Sequence, residues 1–146
     1  MRTILEFLGS DHHACDNVFA SAEDAVARKD WAGARGLFGE FHAAMARHLE
    51  MEETVLFPAF ESRTGMRGGP TEVMRMEHAQ MRDLLQAMAD AVAAGKQDNY
   101  LGLSETLNML MQQHNLKEEN MLYPMSDRVL GADCEAVIHS MEAVSR

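Results

Sequence analysis

The sequence predicts an all-α protein: an up-down-up-down four-helix bundle, built as a duplicated helical hairpin and followed by a short C-terminal helix. Three observations predict this fold. Apolar residues recur at helical spacing along four long stretches, no stretch makes a convincing strand, and motifs of the first half return in the second half. A chain of 146 residues is long enough for one substantial core. We therefore expect a single domain over 1–146, with repeat halves at about 3–63 and 70–130.

The first hairpin is expected to consist of helices over 3–29 and 31–57. Thr3 opens a capping-box pattern, Thr-Ile-Leu-Glu, and Asp30 is placed to cap the second helix. Pro58 should kink or end that helix, because proline lacks the N–H that an interior helical position needs.

The second hairpin follows the clearest loop of the chain, residues 64–70, which is rich in glycine and ends in proline. Pro70 suits the first position of the third helix, and Gly95 should end that helix. Asp98 should cap the fourth helix, and Asp133 should start the short last one.

Charge and composition narrow the partners and the compartment. The net charge of −10, from 23 acidic and 13 basic residues, argues against binding to nucleic acid or anionic lipid. No apolar run approaches the roughly 20 residues of a membrane span. Two cysteines without CxxC spacing, Cys15 and Cys134, and an N-terminus without a signal peptide's apolar core favour the reducing cytoplasm. The 13 methionines indicate either flexible core filling or a thioether-lined pocket.

One motif, H-x-x-x-E-E-x-x-L-[FY]-P, occurs at 48–58 and again at 114–124. Residues i and i+4 of a helix lie on one face, so the histidine and the first glutamate of each copy point the same way. The same translation carries His12 onto His78. Each half therefore contributes two histidines and one glutamate in the same order.

The spacing of these residues predicts that they meet. The two hairpin turns are expected near residues 30 and 96, and each histidine lies 18 residues from a turn, about 27 Å at 1.5 Å per residue. Equal distances from a turn mean equal height in antiparallel helices. If the histidines face inward, they form a dinuclear site in which the glutamates bridge two ions. The candidate ligands are His12, His48, Glu52, His78, His114 and Glu118. Nitrogen and carboxylate donors favour iron or manganese over a thiolate zinc centre. The alternative is that the histidines only form hydrogen bonds with nearby carboxylates.

These motifs resemble those of the hemerythrin-like family, also called the HHE cation-binding domain. The matching segments are Asp11-His12, His48-Leu-Glu-Met-Glu52-Glu53, Glu77-His78 and His114-Asn-Leu-Lys-Glu118-Glu119. The resemblance covers nearly the whole chain. It implies a non-haem di-iron centre held by the same six residues, with two oxo- or hydroxo-bridged irons for which manganese or zinc could substitute. It also implies binding or sensing of O2 or NO, or of iron or redox state.

Two positions depart from the oxygen-carrying hemerythrins. Those proteins use a fifth histidine four residues from another on the third helix, where this chain has Met74 and Arg82 on either side of His78. They also place an aspartate five residues after the last histidine, where this chain has Glu119. Internal symmetry favours Glu118 as the bridge and leaves Glu119 open. The missing ligand shifts the expectation from reversible oxygen carriage toward sensing, redox chemistry or iron handling.

Two other functions stay open at this point. One is a di-iron enzyme that acts on peroxide or NO, or that supports the repair of iron–sulfur centres. The other is a metal-independent helical interaction module.

Several neighbouring residues have two interpretations each. Asp16 is either an outer hydrogen-bond acceptor or a spare ligand, and Cys15 is either an inert buried thiol or redox-sensitive. The carboxylates that flank the ligands, Glu53, Glu77 and Glu119, either orient histidines or lie in solvent. The aromatic rings of Phe57 and Tyr123 either cover the open end of the site or pack in the core.

Overall fold

The computed structural model describes residues 1–144, and within them it contains helices and turns but no strand. The α-helices are α1 Ile4–Ala27, α2 Trp31–Met51, α3 Phe57–Thr64, α4 Pro70–Ala93, α5 Gln97–Lys117, α6 Tyr123–Leu130 and α7 Cys134–Glu142. A π-helical turn, Glu52–Leu56, joins α2 to α3, and a second, Glu118–Leu122, joins α5 to α6. The predicted four-helix bundle with a short C-terminal helix is therefore confirmed. No helix within 1–144 is both long and apolar enough to cross a membrane.

Two of the three predicted helix caps are present. The Thr3 hydroxyl accepts a hydrogen bond from the Glu6 backbone N–H at 3.0 Å, and the Asp30 carboxylate accepts one from Gly33 at 3.1 Å. The prediction for Asp98 is wrong, because α5 starts earlier and the N-cap position falls on Lys96. Gln97 is the first residue of α5, and its side-chain amide donates to the last carbonyls of α1 at 3.0 and 3.2 Å.

The prolines of the two motif copies neither end nor break the helical segments in which they lie. Pro58 and Pro124 are the second residues of α3 and α6, where a backbone N–H is not needed. Each follows a π turn, in which the N–H of Phe57 or Tyr123 bonds to the carbonyl five residues earlier. The helical assignment therefore runs without a break through each proline, from α2 through the π turn into α3 and from α5 through the π turn into α6.

The apolar core has two parts, and the candidate site lies between them. The first part fills the bundle toward the hairpin turns and includes Phe19, Phe41, Leu85 and Tyr100. The second part lies beyond the site, where α3, α6 and α7 close the end of the bundle. Both parts are fully packed, so the polar residues between them are enclosed in a low-dielectric layer that excludes bulk water.

Candidate metal centre

All six predicted ligand side chains lie together in the layer between the two core clusters. None is more than 5% exposed. The imidazole rings of His12 and His48 are 4.7 Å apart, and those of His78 and His114 are 5.0 Å apart. The four histidines therefore lie at one level of the bundle and face inward, as the spacing from the hairpin turns predicts.

Each buried glutamate reaches from one histidine pair to the other. The two carboxylate oxygens of Glu118 lie 3.1 Å from His12 Nε2 and 3.2 Å from His114 Nε2. The Oε1 atom of Glu52 lies 3.4 Å from His48 Nε2 and 3.2 Å from His78 Nε2. This is the arrangement expected of carboxylates that bridge two ions.

The π turns begin at these two glutamates. In each arm the histidine stands in the last turn of an α-helix, and the glutamate four residues later is the first residue of the π turn. Such turns occur often at functional sites because the extra residue changes the direction of the side chains around it. The identical placement in both halves follows from the repeated motif.

An outer carboxylate fixes each histidine by accepting a hydrogen bond from its Nδ1 atom. The pairs are His12–Glu119 at 2.8 Å, His48–Asp11 at 2.7 Å, His78–Glu53 at 2.6 Å and His114–Glu77 at 2.8 Å. A carboxylate in this position keeps the proton on Nδ1 and directs the Nε2 lone pair into the cluster. Glu119 therefore lies outside the bridging position that Glu118 occupies.

The interior of the cluster contains buried polar atoms with no hydrogen-bond partner among the described residues. Four of them belong to the site: Glu52 Oε1, His78 Nε2, His114 Nε2 and Glu118 Oε2. An unsatisfied buried polar group costs about 1–3 kcal/mol, so four at one point need a compensating partner. A cation supplies it, because Glu52, His78, His114 and Glu118 offer ligand atoms that lie within 4.8 Å of one another. Imidazole nitrogen and carboxylate oxygen together suit iron, manganese or zinc.

The comparisons with known proteins agree with this geometry. The family model of the hemerythrin HHE cation binding domain matches residues 3–126. The chain belongs to the hemerythrin HHE cation-binding domain family. The family binds metal, with iron as the favoured metal, and the cluster of histidines and glutamates in this HHE domain is the group of residues that could hold it.

Two curated relatives carry the same name, iron-sulfur cluster repair protein YtfE. The protein from Dickeya chrysanthemi (strain Ech1591) is 32% identical over 99 residues, covering 60% of this chain and 43% of the relative. The protein from Edwardsiella ictaluri (strain 93-146) is 34% identical over 94 residues, covering 58% and 41%. The aligned part of the chain thus spans less than half the length of either relative. No solved structure matches the chain significantly.

When no cation is bound to the HHE domain, neighbouring carboxylates favour the protonated imidazoles of His48, His78 and His114 by raising their pKa values. Burial lowers the pKa of a histidine, but Glu118 and Glu52 outweigh that effect at His114 and raise its pKa to about 9. The pKa of His48 is also raised, by Glu52 and Asp11 against the opposing effect of burial. A metal ion must displace these protons, so metal affinity should fall as the pH falls.

Tyr123 contributes a functional group that the sequence did not reveal. Its hydroxyl oxygen lies inside the cluster, 2.7 Å from Glu52 Oε2 and 2.9 Å from Glu118 Oε1. It also lies 3.2 Å from His12 Nε2 and 3.5 Å from His48 Nε2. The ring packs in the core, as one interpretation proposed. The only signal in the sequence is that the repeat places Phe57 where the second half has a tyrosine.

A small cavity adjoins the histidines on the side of the hairpin turns. Its volume is about 10 Å³, close to the smallest space that holds a water molecule. The thioether side chains of Met45, Met81 and Met111 line it beside His12, His48 and His114, and Asp16 and the buried thiol of Cys15 also reach it. Asp16 is not among the carboxylates that cluster with the histidines. Arg82 pairs with Glu53.

The outer carboxylate Glu53 offers a test of how the HHE domain orients its histidines. Its pKa falls to about 2, because hydrogen bonds from His78 and Arg82 outweigh the opposing effect of burial. The substitution Glu53→Gln removes the charge that holds the proton on His78 Nδ1. We expect metal affinity to fall by about 10-fold to 100-fold, measured by competition with a chelator. The control Glu50→Gln alters an exposed carboxylate on the same arm and should leave affinity unchanged. Equal affinities in the two variants would contradict an orienting role for Glu53.

Proposed function

We propose that this chain is one HHE domain over 1–146 that binds two iron ions at the six clustered residues. One ion binds between His12 and His48, the other binds between His78 and His114, and Glu52 and Glu118 bridge them. The observation that carries the proposal is a set of four buried nitrogen and oxygen atoms without a hydrogen-bond partner among the described residues, from Glu52, His78, His114 and Glu118, which cluster as possible metal ligands. The separations of 3.1–3.4 Å between nitrogen and carboxylate oxygen support it as well. Donors about 2.1 Å from a shared ion are about 3 Å apart when they are cis.

The residues around the cluster prepare it for a small ligand. Iron, when bound, supplies one-electron redox chemistry and an affinity for diatomic molecules. The chain itself fixes the imidazoles through their Nδ1 hydrogen bonds and excludes bulk water with the two core clusters. The cavity of about 10 Å³ beside the histidines has room for about one water-sized molecule.

The residues around His78 on helix α4 favour sensing, redox chemistry or iron handling over reversible oxygen carriage. The positions on either side of His78 that could supply a fifth histidine hold Met74, which packs in the core beyond the site, and Arg82, which binds Glu53. Neither gives a nitrogen ligand at neutral pH. The centre therefore has one histidine ligand fewer than an oxygen carrier.

The diatomic ligand is tested by loading the protein with Fe(II) without oxygen and titrating it with NO. We expect two irons per chain and a saturable change in absorption. The substitution Met111→Phe narrows the cavity and should weaken NO binding by about 10-fold or more without loss of iron. Met109→Phe is the matched control, because Met109 lies two residues away on the same helix and is 61% exposed. Iron-loaded protein that does not respond to NO or O2 would refute the diatomic ligand.

A second candidate function is support of iron–sulfur cluster repair, which the names of the two curated relatives favour. In this function the iron held by the histidine and glutamate side chains of this chain is released to a damaged iron–sulfur protein. The test incubates iron-loaded chain with a [4Fe–4S] enzyme that NO has inactivated, and follows the return of its activity. A variant carrying His48→Ala and His114→Ala should restore nothing beyond the same amount of free iron. Recovery equal to that with free iron for the unaltered chain would exclude this function.

We place the protein in the cytoplasm, where a reducing environment keeps iron ferrous and thiols free. Its two cysteines are both free and buried in the structure. The acidic surface still gives no reason to expect a nucleic-acid partner.

A further inference from the structure

The two halves of the centre differ at one repeated aromatic position. The Tyr123 ring stacks on His12 with centroids 5.6 Å apart and planes inclined by 30°. The Phe57 ring stacks on His78 with centroids 5.5 Å apart and planes inclined by 29°. The two rings are thus placed almost identically, and the chemical difference between them is one hydroxyl group, which points into the cluster.

The hydroxyl oxygen of Tyr123 lies where a metal ligand would lie. Its four neighbours in the cluster are one oxygen of each glutamate and the Nε2 atoms of His12 and His48, at 2.7–3.5 Å. Cis ligands about 2.1 Å from a common ion are separated by about 3 Å. The distances from the hydroxyl to its neighbours lie on both sides of this value.

The number of donors in each half also leaves room for this oxygen. Four histidine and carboxylate donors lie close together in one half, from Glu52, His78, His114 and Glu118. The other half has three, from His12, His48 and Glu118. Tyr123 Oη adds a further donor to that smaller group.

We propose that Tyr123 is a seventh protein ligand, which binds the ion of His12 and His48 through its phenolate oxygen. The inference rests on the proposed iron centre and adds a ligand to it. The hydroxyl proton passes to solvent as the iron–oxygen bond forms, and the oxidation state of the iron does not change in this step. A phenolate is a hard anionic donor that favours ferric over ferrous iron. Phe57 provides no such donor, so the ion of His78 and His114 keeps the position that Tyr123 fills on its neighbour.

Phenolate coordination has a spectroscopic signature that no other residue of this cluster produces. The test loads the protein with iron, oxidises it with ferricyanide, and records the visible spectrum and the resonance Raman spectrum. Ferric iron bound to a phenolate has a charge-transfer band in the visible region and enhanced ring vibrations. The chain has two tyrosines, so Tyr100→Phe is the matched control. Tyr100 is buried in the core cluster toward the hairpin turns, against Phe38.

We expect the band in the unaltered protein and in Tyr100→Phe, and its complete loss in Tyr123→Phe with two irons retained. Phenylalanine already occupies the equivalent place at Phe57, so this variant should fold. The reciprocal substitution Phe57→Tyr should about double the band intensity, because it presents a second phenol to the other ion.

Two results would overturn the inference while leaving the iron centre intact. One is an iron-loaded ferric protein without the phenolate band, which would mean that Tyr123 only forms hydrogen bonds with the bridging carboxylates. The other is a band that survives Tyr123→Phe. Failure of the unaltered protein to take up iron would refute the proposed function and this inference together.

Discussion

Replacing His48 and His114 with alanine should abolish iron binding and lower the stability of the iron-loaded protein by about 5 kcal/mol. The two substitutions together remove one imidazole from each histidine pair, so neither ion keeps a complete set of ligands. A ligand that binds only the native state at 100 times its dissociation constant stabilises that state by about 2.7 kcal/mol, and two ions contribute about twice this amount. The midpoint of thermal unfolding should fall by about 15 °C. Metal analysis and calorimetry measure the two effects.

The matched control for this variant replaces two exposed histidines, His13 and His139, with alanine. Neither takes part in the cluster, so iron content and melting temperature should stay within experimental error of the unaltered protein. If the unaltered protein takes up no iron and the His48 and His114 variant keeps its full stability, the chain is a metal-independent helical module.

Removing the metal should reverse the way in which stability depends on pH. In the metal-free protein the pKa of His114 is raised from 6.5 to about 9, so the protonated form favours the folded state. This contribution is fully present below pH 6.5 and is lost as the pH rises through about 9. In the loaded protein, metal competes with protons for the same nitrogen atoms, and the stability due to metal increases with pH.

Denaturant unfolding from pH 5 to 9.5, with and without a chelator, compares the two states. The difference in unfolding free energy between loaded and metal-free protein should be smallest at pH 5 and should grow steadily above it. His114→Gln in the metal-free protein should reduce the decline between pH 6.5 and 9. Parallel curves for the two states would show that metal and protons do not compete at these histidines.

The sequence predicts the arrangement of the site well because the repeat is regular. His12, His48, His78 and His114 lie at equal distances from their hairpin turns, and antiparallel helices convert equal distance into equal height. The spacing of four residues between histidine and glutamate then determines which carboxylates face inward. Four long helical stretches with an apolar stripe also predict the bundle itself. The prediction of Asp98 as a cap is wrong, because α5 starts at Gln97 and its N-cap position falls on Lys96.

The chemistry of individual side chains was harder to predict. Phe57 and Tyr123 occupy the same position of the repeated motif and both pack in the core, so the sequence pattern does not distinguish them. The direction of the Tyr123 hydroxyl depends on how the helical segment that carries it is rotated. The π turns have no local signal that separates them from an α-helix. The roles of Glu53 and Glu119 were undecided because a glutamate next to a ligand points either to the neighbouring histidine or to solvent, and tertiary packing selects between these directions.

The measurement that tests the central claim most directly is an anomalous-scattering map of iron-loaded crystals at the iron absorption edge. The account predicts two peaks in the layer between the core clusters, one bonded to His12 and His48 and the other to His78 and His114. Glu52 and Glu118 should each contact both peaks. A protein loaded to saturation that shows iron elsewhere, or no iron within this layer, would contradict it.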